Sequence, residues 1–186
     1  ENKIGIAYID ITTGEFKVTE IDEDAEYMQL FSELNKIEPK EVLLTSSFYE
    51  TIKDRIDDFM QKNDATISII NKVRDSKKLL TDYFGIVSLE SYGIKGKKSV
   101  IEAAAIALDY AMTMQVENDL TVEKIEFLNV SNYADINSIT RKNLELTKSQ
   151  REKTVYGSLL WVLDKCKSSM GTRLLKRYIN NPLLDI

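Results

Sequence analysis

The sequence predicts an α/β domain, a mixed sheet with flanking helices, followed by an all-α segment. Three observations carry this: two β-rich runs flank Thr12-Thr13-Gly14, helix and strand patterns alternate up to about residue 90, and beyond it the strand signals fade into apolar helical stretches. At 186 residues the chain is long enough for one large domain or two small ones, with a real core.

Taken in order, "KIGIAYIDI" and "EFKVTEI" are rich in Ile, Val, Tyr and Phe. The Thr-Thr-Gly between them suits a hairpin, because glycine adopts positive φ without steric cost. Tyr27, Leu30, Leu34 and Ile37 recur at helical spacing, Pro39 ends that helix, and "EVLLT" reads as a short buried strand. Ser47 and Glu50 have capping-box spacing ahead of the apolar stripe Ile52, Ile56 and Phe59. The strand "TISII" follows, then a short helix with Leu79, Leu80 and Tyr83 facing inward and Lys77, Lys78 and Asp82 outward. "SYGIKGKK", with its glycines and charge cluster, suits a linker. The boundary is therefore placed there, giving a first domain over 1–92 and a second over 93–186. Residues 99–117 form a helix apolar almost all round, with Glu102, Asp109, Thr113 and Glu117 on one narrow stripe, expected to be buried among other helices. "INSITRKNLELT", "GSLLWVLDKC" and "MGTRLLKRYIN" supply further helices, and "KIEFLNV" a brief strand.

Composition narrows the function classes. No apolar run approaches the roughly 18 to 20 residues of a membrane span, and no secretory signal opens the chain. One cysteine, Cys166, and no histidine exclude an internal disulfide, the usual zinc sites and every histidine-based triad, which fits a reducing cytoplasm. The net charge of −5 divides into −8 for residues 1–90 and +3 for 91–186, so neither half advertises nucleic-acid binding by charge. With no initiating methionine and a strand almost at once, the chain reads as an excerpt.

Candidate chemistry is sparse. A divalent-metal nuclease needs several carboxylates converging at strand ends. Asp10 qualifies as a first, but Glu41 stands at the entering end of its strand, "TISIINK" has none, and nothing brings Asp75 to Asp10. The simpler reading is that Asp10 accepts hydrogen bonds from turn N–H groups. No GxxxxGK[ST] phosphate loop occurs, and the Gly93 to Gly96 stretch lacks its spacing. Asp57 and Asp58 diverge on a solvated helix face, and Trp161 among leucines reads as a packing aromatic. Lys165, Lys167, Arg173, Lys176 and Arg177 make the C-terminal segment basic, which helix macrodipoles favour without any ligand. Cys166 reads as a small packing residue.

"ITRKNLELT" (139–147), "YGSLLWVLDKC" (156–166) and "SSMGTRLLKRYINNPLLD" (168–185), in this order, closely resemble the core domain of MutS-family DNA mismatch repair proteins, with Arg-x-Asn-Leu-Glu-Leu and Met-Gly-x-Arg-Leu-Leu as signatures. "GIAYIDITTGEF" and "YFGIVSLESYGI" resemble the connector domain that precedes it, which favours the bacterial mismatch-repair branch over paralogues lacking a connector. Lys167-Ser168 departs from the threonine often found before the Met-Gly step. The resemblance implies a ribonuclease H-like connector whose first strand normally precedes "GIAYID". Asp10 would then lie on the second strand and close a turn, outside any nuclease constellation.

It also implies that the mismatch reader, the DNA-gripping levers and clamp, and the P-loop ATPase lie elsewhere in the full-length family. ATP and Mg belong with them, as do most contacts to mismatched DNA and to a second MutS subunit. The expected role is then non-enzymatic, in the bacterial cytoplasm at the nucleoid and with no membrane. The connector and core would link mismatch recognition to the ATPase and offer a docking surface to a MutL-type partner, with Lys77, Lys78 and Asp82 as contact residues. Asp10, Gly14, Arg141, Asn143, Glu145, Gly171 and Arg173 are expected to be architectural. Arg141 and Glu145, four apart, are read as a pair across one helical turn, and Gly171 as permitting close packing or a helix start. The rivals are a metal-dependent ribonuclease H-like nuclease and an autonomous nucleic-acid-binding module.

Overall fold

A computed structural model describes residues 3–71, 73–114, 122–129, 133–134, 136 and 138–184. They form two compact units, residues 1–29 with 38–128 and residues 30–37 with 129–186. No helix is long and apolar enough to cross a membrane among the described residues.

The first unit begins with the expected hairpin. Strands β1 (Lys3–Asp10) and β2 (Glu15–Asp22) pair antiparallel in continuous register from Lys3 opposite Asp22 to Asp10 opposite Glu15. Gly14 takes φ 71° in the turn. Helix α1 (Met28–Ile37), which falls in the second unit from Leu30 on, starts after Asp24, whose carboxylate accepts from the Glu26, Met28 and Gln29 N–H groups. Those bonds, the Gln29 one foremost, hold the Asp24 carboxyl below its ordinary value.

Strand β3 (Glu41–Thr45), helix α2 (Ser46–Asn63) and strand β4 (Thr66–Ile70) form a βαβ unit in which β3 and β4 pair parallel. Helix α2 begins two residues earlier than a Ser47 cap would place it. Thr45 is its N-cap and no side chain caps it, so the Ser47 to Glu50 capping box is not built. Helix α3 (Ser76–Phe84) is capped by Asp75 Oδ1, which accepts the Lys78 N–H at 3.0 Å. A short 3-10 turn, Leu89–Tyr92, leads to helix α4 (Lys98–Met114). Strand β5 (Glu126–Phe127) then adds parallel to β2, Lys17 opposite Glu126 and Val18 opposite Phe127. The described strands thus lie in two sheets, β1-β2-β5 and β3-β4, of mixed sense. One continuous ribonuclease H-like sheet is not hydrogen-bonded among them.

The boundary expected at 92/93 shifts, and the reason is packing. Helix α4 lies against β1 and α3, with Val100, Ala104, Ala105, Leu108 and Ala111 buried, so it belongs to the first unit and not to a bundle of following helices. The contact is close because its buried face is largely alanine and because β1 offers Gly5. A Cβ built on Gly5 would fall 2.2 Å from the Ser99 carbonyl carbon, inside the contact limit of any two atoms. The "SYGIKGKK" stretch is likewise no free linker, since Ile94 is 0% exposed and joins Phe16, Val18, Leu80, Leu89 and Leu108 in one core. Lys97 Nζ donates to Glu20 at 2.9 Å and Ser99 Oγ at 3.1 Å, fastening the start of α4 to β2. Burial raises the Glu20 carboxyl, but these bonds outweigh it and leave the group below its ordinary value.

The second unit contains α5 (Ser138–Asn143), α6 (Leu159–Leu163) and α7 (Ser169–Asn180), the first two shorter than their sequence patterns and the third beginning one residue before its own. Leu159 and Leu160 N–H groups donate to the carbonyls of Glu145 and Leu146 at 3.0 and 2.9 Å. Tyr133 bridges to Leu183 near the chain's end. Glu117, assigned to the polar stripe of α4, lies outside the described residues.

Candidate docking face and architectural residues

Helix α3 has two chemically distinct sides. Leu80 is fully buried while Leu79 and Tyr83 pack at the core's edge, as their 3.6-residue spacing requires. Lys77, Lys78 and Asp82 are exposed on the other side, as expected. Neither lysine's ammonium has a hydrogen bond or ion pair among the described residues. The helix stops at Gly85, whose φ of 63° closes it with a hydrogen bond to the Asp82 carbonyl. The result is a solvated, mixed-charge face on a rigidly seated helix.

Asp10 closes its turn. Its Oδ1 accepts the Thr12 N–H at 2.9 Å and the Thr12 hydroxyl at 2.6 Å, and its carbonyl accepts the Gly14 N–H at 2.9 Å. Among the described residues no group of three or more His, Cys, Asp or Glu side chains is placed to hold a metal ion. Replacing Asp10 by Ala is expected to cost about 1 kcal/mol in a urea melt, while Asp10→Asn, which keeps an Oδ1 acceptor, costs less.

The signature residues of the second unit separate by role. Arg141 is the tie: Nε donates to the Ile136 carbonyl at 2.8 Å and Nη2 to the Asn180 carbonyl at 2.7 Å, joining α5 to the end of α7. The Arg141 to Glu145 pair across one helical turn is not what forms, because α5 ends at Asn143. Glu145 lies beyond it at φ 50°, with Oε1 accepting the Gln150 N–H at 2.6 Å. The Asn143 carbonyl accepts from Gln150 Nε2 at 3.5 Å, so both residues shape the link between α5 and α6.

Gly171 stands at the start of α7, close beside Cys166. It sits in the first turn of α7, its N–H donates to the capping Ser168 Oγ, and a Cβ there would come within 3.0 Å of Cys166 Cβ. Arg173 is exposed on α7. Cys166 is exposed, and desolvation with the neighbouring Asp164 carboxylate pushes its thiol up, the reverse of an activated nucleophile. Trp161 is half exposed and stands edge-on to Tyr156 at 4.7 Å.

Sequence reasoning missed Gly5 and Ile94, each of which holds the first unit together. It also missed a cleft of about 330 Å³ between the starts of α3 and α4, lined in part by Arg74, Lys77, Lys98 and Ile101.

Two family models match the chain. Residues 1–147 match the model of MutS domain II and residues 139–186 that of MutS domain III. Relatives described as DNA mismatch repair protein MutS align over the whole chain. That of Fusobacterium nucleatum is 39% identical over 190 residues, that of Halothermothrix orenii 35% over 186, and that of Methanosarcina barkeri 30% over 190. The chain spans about a fifth of their length, 21%, 20% and 21% respectively. By these matches the chain belongs to the MutS family, spanning its domain II and part of its domain III.

Proposed function

We propose that this chain is the connector and early core of a longer mismatch repair protein, relaying conformational state and docking a MutL-type partner through the outer face of α3. The observation that carries the docking reading is the contrast across that helix, Leu80 fully buried in the core and Lys77, Lys78 and Asp82 exposed to solvent. A fixed helix with an exposed charged face orients a partner without having to be ordered first. The relay works through packed elements, α4 against β1 above all, rather than through reactive groups.

The finer fold reading belongs to the same proposal. The hairpin and the βαβ unit are two parts of one ribonuclease H-like sheet. ATP and Mg engage other parts of that protein, mismatched DNA and a second subunit do so mainly, the protein works in the bacterial cytoplasm at the nucleoid, and this chain performs no catalysis.

Calorimetric titration of the chain with the ATPase-bearing N-terminal domain of its matching MutL tests the docking reading. Saturable binding is expected, weakened at least tenfold by Lys77→Glu with Lys78→Glu. Absence of binding, or a double variant that binds like the parent, sinks the α3 face as the docking surface.

A further inference from the structure

Among its described residues, the second unit exposes more large apolar side chains than it buries. The buried ones are Leu30, Leu34, Leu146 and Leu160, a small core for a unit of this size. Helix α6, Leu-Leu-Trp-Val-Leu, is apolar all round yet buries only Leu160, leaving Trp161, Val162 and Leu163 half exposed. A helix of that composition belongs in an interior. Helix α7, against which α6 lies, repeats the pattern. Leu175 and Ile179 are partly buried, while Met170, Leu174 and Tyr178, each four residues from the next, form an exposed apolar stripe. Single exposed apolar residues are ordinary, but six on two neighbouring helices mark a surface made to be covered.

We infer that this face of α6 and α7 is an internal interface, covered in the longer protein by the part of MutS domain III that lies outside this chain. The inference rests on the proposed reading of the chain as the early core of a longer protein, and not on the α3 docking face. The length of the relatives selects the occupant. The domain III match takes in residues 139–186, and the chain spans only 21% and 20% of two of its MutS relatives, so most of their sequence is available to close the unit. Covalent linkage decides against a second copy. A tethered segment meets the face at a millimolar effective concentration, which a separate molecule at micromolar concentration does not match. The shape fits a helix, since Met170, Leu174 and Tyr178 make one ridge about 12 Å long of the kind that packs into the groove of another helix.

Hydroxyl-radical footprinting of the 186-residue chain and of the longer protein tests this, with Trp161, Met170 and Tyr178 as oxidisable reporters. Their oxidation is expected to be at least tenfold slower in the longer protein, whatever its concentration. A paired variant, Leu174→Gln with Tyr178→Gln, is expected to leave the Trp161 urea midpoint of the 186-residue chain unchanged and to lower the first thermal transition of the longer protein by about 5 °C or more. Equal oxidation in the two proteins, or equal effects of the variant in both, would overturn the inference. Protection that grows with protein concentration would assign the face to a second copy and overturn it as well. The footprint needs no variant, so it decides even where the paired variant does not fold. Titration with MutL reads the α3 face separately, so either proposal can fail while the other stands.

Discussion

Gly5→Ala is expected to destabilise the first unit by roughly 3 kcal/mol or more, at the upper end of what an added methyl group costs in a packed interior. The methyl would lie 2.2 Å from both the carbonyl carbon and oxygen of Ser99 and 2.5 Å from the Val100 nitrogen. These are backbone atoms, so no rotamer change relieves the clash. Helix α4 must move off β1, and the seats of Val100, Ala104 and Leu108, all fully buried, are lost with it. The same substitution at Gly93 separates this from glycine's general conformational freedom. Gly93 has φ 69° but open space where a Cβ would go, so Gly93→Ala should cost only about 1 kcal/mol of left-handed backbone penalty. Urea melts of the two variants check the difference, and hydrogen exchange should show the α4 amides losing protection only in Gly5→Ala. Equal midpoints would mean that α4 is not seated as described.

What the sequence discloses and what it hides follow from the range of the interactions. The hairpin was legible because Thr12, Thr13 and Gly14 act on their own neighbours, and Asp10 meets Thr12 two residues on. The two faces of α3 were legible because helical period alone sorts Leu80 from Lys77 and Lys78. The place of α4 was not. Its alanines announce a close approach to something, but the complementary feature is a missing side chain at Gly5, which leaves no hydrophobic signal. Ile94 was hidden for a related reason, being one apolar residue between glycines and lysines, buried only because the chain on both sides is already anchored. The capping box at Ser47 had the right spacing, yet α2 begins at Ser46 and leaves Ser47 inside the helix. The cleft could not be read at all, since Arg74 and Lys98 meet only after α3 and α4 have packed.

Arg141 poses the same problem in the second unit, where its signature marked it as important but local spacing named the wrong partner. Its guanidinium bonds two carbonyls, Ile136 and Asn180, that α5 and α7 would otherwise leave without these donors. Removing it both deletes charge-assisted hydrogen bonds and strands the acceptors, so Arg141→Ala should cost about 3 kcal/mol. Arg141→Lys is the discriminating variant. It keeps the charge and most of the stem but presents a single ammonium in place of two diverging N–H donors, and should recover less than half of the loss. If the charge alone mattered, Lys would restore stability in full. Trp161 is the only tryptophan in the chain and stands in α6 of the same unit, so its fluorescence reports unfolding where Arg141 acts. The midpoint of its urea transition should fall in the order parent, Arg141→Lys, Arg141→Ala. A Trp161 transition that ignores both variants would reduce Arg141 to a surface residue and remove the tie between α5 and the end of α7 from the account of this unit's stability.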